Sequence, residues 1–328
     1  MIKEALFQEK RDGGNVRCLL CPHLCLLQNG QKGICGVRSA DKGVLFTSNY
    51  GECSSLALDP VEKKPLYHFY PGRSILSAGS TGCNFSCPYC QNYAISQERP
   101  FTEYKEPTEL AELSLREGSI GLAFTYNEPI MWYEYISDTA PLVKERGGVN
   151  VLVTNGYINP EPLAKLADLI DAMNIDVKAF SSHFYRKLCG GRIDPVRRTV
   201  EYAFTRCHIE LTYLVIPGWN DSPDEIESFA KWVAGIGPDI PVHFSRYFPR
   251  YRFTTHETPE KTMQDAAAAA SAHIKFVYIG NLKEGGFTDT LCPSCGNLLV
   301  KRLGYITETP GLSGIKCSSC GEALYGRN

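Results

Sequence analysis

From about position 73 to position 282, apolar residues recur in two alternating rhythms. Short runs at 75–78, 121–125, 149–154, 174–177, 208–216, 242–247 and 275–279 are rich in β-branched and aromatic residues and predict strands. Between them, segments such as PTELAELSLREG, PLAKLADLIDAM and PDEIESFAKWVAGIG repeat apolar residues at three- and four-residue steps. Pro stands near their starts and Gly often near their ends, the pattern of amphipathic helices. Strands alternating with helices predict an α/β fold built on a parallel sheet with right-handed crossovers. The number of units favours a partial (β/α)6-type TIM-like barrel over an open sheet. The alanine run at 266–270 reads as ordinary helix.

Both rhythms stop outside this region. The segment VRCLLCPHLCLLQNGQKGICGVR has short apolar runs among Cys and Gly and reads as a knuckle wrapped around a metal. SSLALDPVEKKPLYHFYPG reads as an extended linker. Beyond position 288 the chain returns to Cys and Gly, with hairpin-like strands in NLLVKRLGYI. The expected organisation is an amino-terminal metal-binding module with its linker (1–72), a central partial barrel (73–287) and a carboxyl-terminal zinc ribbon (288–328). No internal repeat spans the chain.

Composition narrows the classes. With 43% hydrophobic residues in 328, the chain can build a sizeable core. A formal net charge of -2 lacks the basic surplus of a protein that lives on phosphates, so nucleic acid is not an expected partner. No apolar run approaches the roughly 18 residues of a membrane span, and MIKEALFQEK is charged where a signal peptide needs an apolar core. The expected location is therefore the cytoplasm, where clustered cysteines serve metals or redox chemistry rather than disulfides. Eleven of the fourteen cysteines fall in three groups: Cys18, Cys21, Cys25 and Cys35; Cys83, Cys87 and Cys90; Cys292, Cys295, Cys317 and Cys320. Cys53, Cys189 and Cys207 stand alone and read as small buried apolar residues.

The central group lies in SAGSTGCNFSCPYCQN, on a loop after the first strand of the central region, the strand end where barrel folds place their chemistry. Three thiolates in CxxxCxxC spacing, with Tyr89 before the third, can ligate three irons of a [4Fe–4S] cube. The fourth iron is left open to the amine and carboxylate of an outside amino acid. A structural zinc with a distant fourth ligand is the plainer alternative.

These residues, with their strand–helix context, resemble the radical S-adenosylmethionine (SAM) superfamily. Within it they are similar to the pyruvate formate-lyase activating enzyme group. FTYNEP resembles the segment that grips the methionyl ammonium of SAM, with Glu128 as the carboxylate and the backbone of Tyr126 and Asn127 as the edge. The usual Gly-Gly is here Tyr-Asn. VTNGY and IDVKAF resemble the next two strand ends, which implies cofactor-binding roles for Asn155, Asp176 and Lys178. LTYLVIPGWND and YIGN resemble the later ones, the last near the expected adenine. Taken singly, Asn155 also suits the turn beside Gly156, Asp176 and Lys178 suit a structural pair, and Asn220 and Asp221 suit a tight turn. His208 reads as a core residue, whereas His243 and Arg246 could reach SAM or substrate.

The chain as a whole resembles the radical SAM component of the AmmeMemoRadiSam system, through RCLLCPHLCLLQNGQKGICGVR, SLALDPVEKKPLYHFYPG, GCNFSCPYCQN, FTYNEP and ELTYLVIPGWNDS. That resemblance implies AMMECR- and MEMO-type protein partners. The superfamily implies reductive cleavage of SAM to a 5′-deoxyadenosyl radical, hydrogen abstraction from a substrate the sequence does not identify, and a flavodoxin or ferredoxin reductant. Glycyl-radical activation is the alternative within the same chemistry. A non-catalytic metal scaffold binding RNA or protein is the alternative from another class.

The flanking groups carry their own expectations. CPSCGN and CSSCGE form a CxxC…CxxC pair whose Gly-ended knuckles suit tetrahedral zinc at Cys292, Cys295, Cys317 and Cys320. The amino-terminal Cys18, Cys21, Cys25 and Cys35 suit either structural zinc or an auxiliary [4Fe–4S] cluster, with His23 beside them.

Overall fold

A computed structural model of the chain describes residues 1–282 and 287–328. Its centre is one eight-stranded sheet. In chain order its strands are β1 (Ser55–Pro60), β2 (Ser74–Gly79), β3 (Ser119–Phe124), β4 (Val149–Thr154), β5 (Ala172–Asp176), β6 (His208–Val215), β7 (Val242–Arg246) and β8 (Val277–Gly280). Strands β2 to β8 run parallel in sequence order, and β1 pairs antiparallel with β2. Each parallel crossover carries a helix: α1 (Pro107–Leu113), α2 (Tyr133–Glu145), α3 (Pro160–Ala167), α4 (Ile193–Phe204), α5 (Pro223–Ile236) and α6 (Glu260–Ser271). The strands and helices expected from the apolar rhythm are all present, with ends displaced by a few residues, and the alanine run lies in α6. Among the described residues, β1 and β8 are the two edges of the sheet and no ladder joins them.

Local chemistry explains the helices. In α5, Pro223 takes the first position and the Ser222 hydroxyl accepts from the Glu225 N–H at 3.3 Å. Ile226, Phe229, Ala230 and Val233 form its buried stripe at helical spacing. Asp224 and Glu225 sit in the first turn, where acidic charge complements the helix dipole.

Two differences from the sequence reading change the architecture. Ser55–Pro60, read as linker, is the antiparallel edge strand β1, with Leu56 and Leu58 exposed on its outer side. The rest of that segment also packs inward. Tyr67 and His68 donate their backbone N–H groups to the Glu210 carboxylate on β6, at 2.9 and 2.7 Å.

The two small modules are joined to the centre through packing. Gln8–Arg11, Asn15–Cys18 and Leu26–Leu27 form one antiparallel sheet, and Lys3–Glu4, Val44–Thr47 and Arg38–Asp41 another. Their buried residues, including Val16, Leu20, Val37 and Leu45, belong to the same apolar core as the central strands and helices. The carboxyl-terminal hairpins pack Leu299, Val300 and Leu324 on Phe276 and Tyr278. No described helix is long and apolar enough to cross a membrane.

Candidate functional site

The parallel strands end on one side of the sheet, and the loops that follow them surround a cleft of about 550 Å³. That size suits a small-molecule ligand. Cys83, Cys87, Cys90 and Tyr89 line it from the loop after β2, and Asn127 and Glu128 from the loop after β3. Asn155 follows β4, while Asp176 ends β5 with Lys178 just beyond. Thus Cys83, Cys87, Tyr89, Cys90, Asn127, Glu128, Asn155, Asp176 and Lys178 line one cleft.

The start of the cysteine loop is held from the loop after β3. Ser80 donates its backbone N–H to Asn127 Oδ1 at 2.9 Å, and Asn127 Nδ2 donates to the Gly82 carbonyl at 3.0 Å. The Asn127 side chain is therefore used in fixing the loop to β3. Gly82 has φ +85°, and a Cβ there would stand 2.7 Å from the Cys35 carbonyl oxygen of the amino-terminal module. Around the sulfurs, Phe85 N–H donates to Cys83 Sγ at 3.3 Å, and Cys90 Sγ lies 3.2 Å from Ser96 Oγ. Tyr89 is buried, with its hydroxyl 3.4 Å from Cys189 Sγ. Cys189, to which the sequence assigns no role, thus stands against the loop.

Glu128 is 3% exposed. Its Oε1 accepts from Thr154 Oγ1 at 2.7 Å and from Ile130 N–H at 3.1 Å, and its Oε2 from Asn155 N–H at 2.8 Å. A carboxylate oxygen takes about two donors, so Oε2 keeps one acceptor site. Burial pushes the Glu128 carboxyl up to about 7, against the pull of these three hydrogen bonds. Asn155 does two jobs: its Oδ1 accepts from Tyr157 N–H at 2.9 Å, which holds the turn, and its Nδ2 reaches Cys83 Sγ at 3.7 Å. Asp176 and Lys178 form an ion pair that faces the cleft. Burial opposes the charge on Lys178, but the Asp176 carboxylate outweighs it and holds the amine above the ordinary lysine range.

Tyr126 occupies the first position of the Tyr-Asn pair with φ +73°, a left-handed conformation strained for an aromatic residue. That is the conformation a glycine adopts freely. Three contacts hold the tyrosine in it. Its hydroxyl donates to Asp59, its ring lies 4.5 Å below Lys64 Nζ, and its carbonyl accepts from Asn92 Nδ2 at 2.8 Å. Lys63 and Lys64, from the segment read as linker, line the cleft.

Other expectations fall elsewhere. His243 does not line the cleft. Its Nε2 meets Glu210 Oε2 at 2.6 Å in a buried network that also takes in His208, 3.0 Å from Oε1. Arg246 points to the start of α6, bonding the Thr258 carbonyl at 2.7 Å and pairing with Glu257 and Glu260. Asn220 and Asp221 build the turn after Pro217-Gly218, and Asn220 Nδ2 also donates to the Lys178 carbonyl at 2.8 Å. Tyr278 is buried, its hydroxyl 2.6 Å from His68 Nε2. Thr212, Leu214 and Ser245 do line the cleft and were not anticipated. Period-two alternation along β6 and β7 was the signal that could have found them.

Away from the cleft, the sulfurs of Cys292, Cys295, Cys317 and Cys320 all lie within 4.8 Å of one another and could hold a metal ion. The 3.5 Å from Cys292 to Cys320 and 3.7 Å from Cys295 to Cys317 suit one tetrahedral ion, since Zn–S bonds of about 2.3 Å put sulfurs about 3.8 Å apart.

Comparison with known proteins agrees with this geometry. The radical SAM superfamily profile matches residues 78–233, from the end of β2 into α5. An uncharacterised protein of Methanocaldococcus jannaschii is 40% identical over 333 residues, covering 98% of this chain and 99% of its own. The pyruvate formate-lyase 1-activating enzyme of Escherichia coli is 23% identical over 167 residues, 48% of this chain and 67% of that one. The crystal structure of Streptococcus suis SuiB bound to S-adenosylmethionine shares the fold, with a TM-score of 0.50 at 13% identity over 61% of this chain and 48% of that one. Motif, fold and profile converge on the same loop and cleft, and the chain belongs to the radical SAM superfamily.

Proposed function

We propose that the cleft binds SAM against a [4Fe–4S] cluster held by Cys83, Cys87 and Cys90, and directs the resulting radical at a substrate bound in the same partial-barrel mouth. The observation that carries this reading is the shared cleft: three sulfurs of one loop face a space large enough for a nucleoside and an amino acid. When bound, the cluster and SAM supply one-electron cleavage of the sulfonium to methionine and a 5′-deoxyadenosyl radical.

The protein's own contribution is binding, orientation and exclusion of water. Asn127 fixes the cysteine loop to the end of β3, and Asn155 supports Cys83. Glu128 Oε2, with its remaining acceptor site, would take a proton-bearing nitrogen of the methionyl group. That contact favours the ionised carboxylate and would draw its raised pKa down. Tyr89 walls the cleft beside the loop. Asp176 and Lys178 would orient the polar end of the ligand as a pair. Cys292, Cys295, Cys317 and Cys320 would hold zinc in a site with no open position, stabilising the ribbon.

A flavodoxin or ferredoxin is the proposed reductant, and AMMECR- and MEMO-type proteins are the proposed partners. Glycyl-radical activation is the second reading, favoured by similarity to the activating enzyme of pyruvate formate-lyase. A glycyl radical on a co-produced lyase would support it. The principal test is spectroscopic. Adding SAM to the dithionite-reduced protein should shift the EPR signal of the cluster, and an unchanged signal at saturating SAM would refute binding at the open iron.

A further inference from the structure

The three cysteine groups differ in how far their sulfurs converge. Those of the ribbon gather around a single point, as one zinc requires. Among the described residues, this is the one group of three or more His, Cys, Asp or Glu side chains that gathers so closely. Cys83, Cys87 and Cys90 do not, as expected of thiolates on separate irons of a cube. Cys18, Cys21, Cys25 and Cys35 do not either. They stand around a small cavity that all four line.

A second observation points to an occupant with acceptors of its own. Arg38 lines this cavity and is 1% exposed. Its guanidinium pairs with Glu134, donates to the Leu6 carbonyl at 2.9 Å and reaches Cys18 Sγ at 3.7 Å. Its Nε–H has no partner among the described residues. A buried donor left unpaired costs roughly 1–3 kcal/mol. The bridging sulfides of an iron–sulfur cube are acceptors, whereas a zinc ion coordinated by four thiolates adds none. Leu20, Leu27 and Met131 complete an apolar wall.

We infer that Cys18, Cys21, Cys25 and Cys35 hold a second [4Fe–4S] cluster, ligated at all four irons and therefore closed to SAM. Its loop packs on the loop of the first. His23 Nε2 lies 2.7 Å from the Asn84 carbonyl oxygen, one residue from Cys83. Asn84 lines the amino-terminal cavity, and its Oδ1 accepts at 2.8 Å from Asn155 Nδ2, the group that reaches Cys83. The two cysteine groups are thus linked through a few bonded residues.

The inference does not rest on SAM cleavage, and metal content tests it separately. A Cys83→Ala/Cys87→Ala/Cys90→Ala variant, reconstituted anaerobically with iron and sulfide, should keep about four irons and four sulfides per chain. One zinc should remain in the ribbon. Adding Cys21→Ala and Cys25→Ala should remove that iron and leave the zinc. The intact protein should hold about eight irons and one zinc. SAM should perturb only half of its Mössbauer signal. Two zincs with about four irons in the intact protein, or negligible iron in the triad-free variant, would overturn the assignment.

Discussion

The carboxyl-terminal ribbon and the loop after β2 both present closely spaced cysteines, yet they are built in opposite ways. The ribbon brings four sulfurs to one point on hairpin turns, with Cys295 and Cys320 exposed. The β2 loop spreads three sulfurs around the mouth of a cleft and holds them with buried polar groups from two other strand ends. A converged set completes the coordination of its metal and can only stabilise. A spread set of only three beside a cleft leaves room for a ligand on the metal. Spacing in the sequence distinguishes the two only in part. What separates them is the surrounding sheet, because parallel strands deliver Asn127, Glu128, Asn155 and Asp176 to the same end.

This contrast can be broken most severely at the loop. Cys87→Ala should reduce SAM cleavage to background while leaving the ribbon's zinc intact, measured by product assay and metal analysis on the same sample. Cys292→Ala should do the reverse. It should release the zinc and cost at least about 3 kcal/mol, lowering Tm by roughly 5–10 °C, with the β2-loop cluster still reconstituted. Calorimetry with metal analysis would show whether the two sites are separable in this way.

Glu128 sharpens the cleft side. With its carboxyl at about 7, SAM binding in the proposed mode must displace a proton below that pH. Affinity should fall by roughly tenfold per pH unit below about 7 and level off above it. Glu128→Gln should weaken binding about tenfold, or ~1.4 kcal/mol, and abolish that dependence. In the ligand-free protein the sign is opposite. The raised carboxyl contributes stability below its ordinary value of 4.5 that is lost as pH rises through about 7. The smallest effect is expected at Tyr126. Tyr126→Phe keeps the strained backbone but removes the hydroxyl bond to Asp59, costing about 1 kcal/mol in a urea titration.

Much of the fold was legible because its information is local. Period-two and period-3.6 patterns marked the seven parallel strands and their helices, and CxxxCxxC after a strand marked the loop. Strand β1 was missed because SLALDP ends in Asp-Pro and exposes its leucines, which resembles linker more than core. Lys63 and Lys64 were missed because long-range packing brings them to the cleft, and Cys189 because the same packing sets it against the cysteine loop. Glu210 was missed for the same reason: its partners, from Tyr67 to His243, come from distant parts of the chain. His243 and Arg246 could have faced the cleft as inward strand residues. Instead, Glu210 claims the imidazole, and Glu257 and Glu260 claim the guanidinium.

The central claim is chemical, and anaerobic turnover tests it most directly. Reconstituted protein given dithionite and SAM should form 5′-deoxyadenosine and methionine in equal amounts, and the Cys87→Ala variant should form neither. Intact protein with a full complement of iron that yields no 5′-deoxyadenosine would contradict the account.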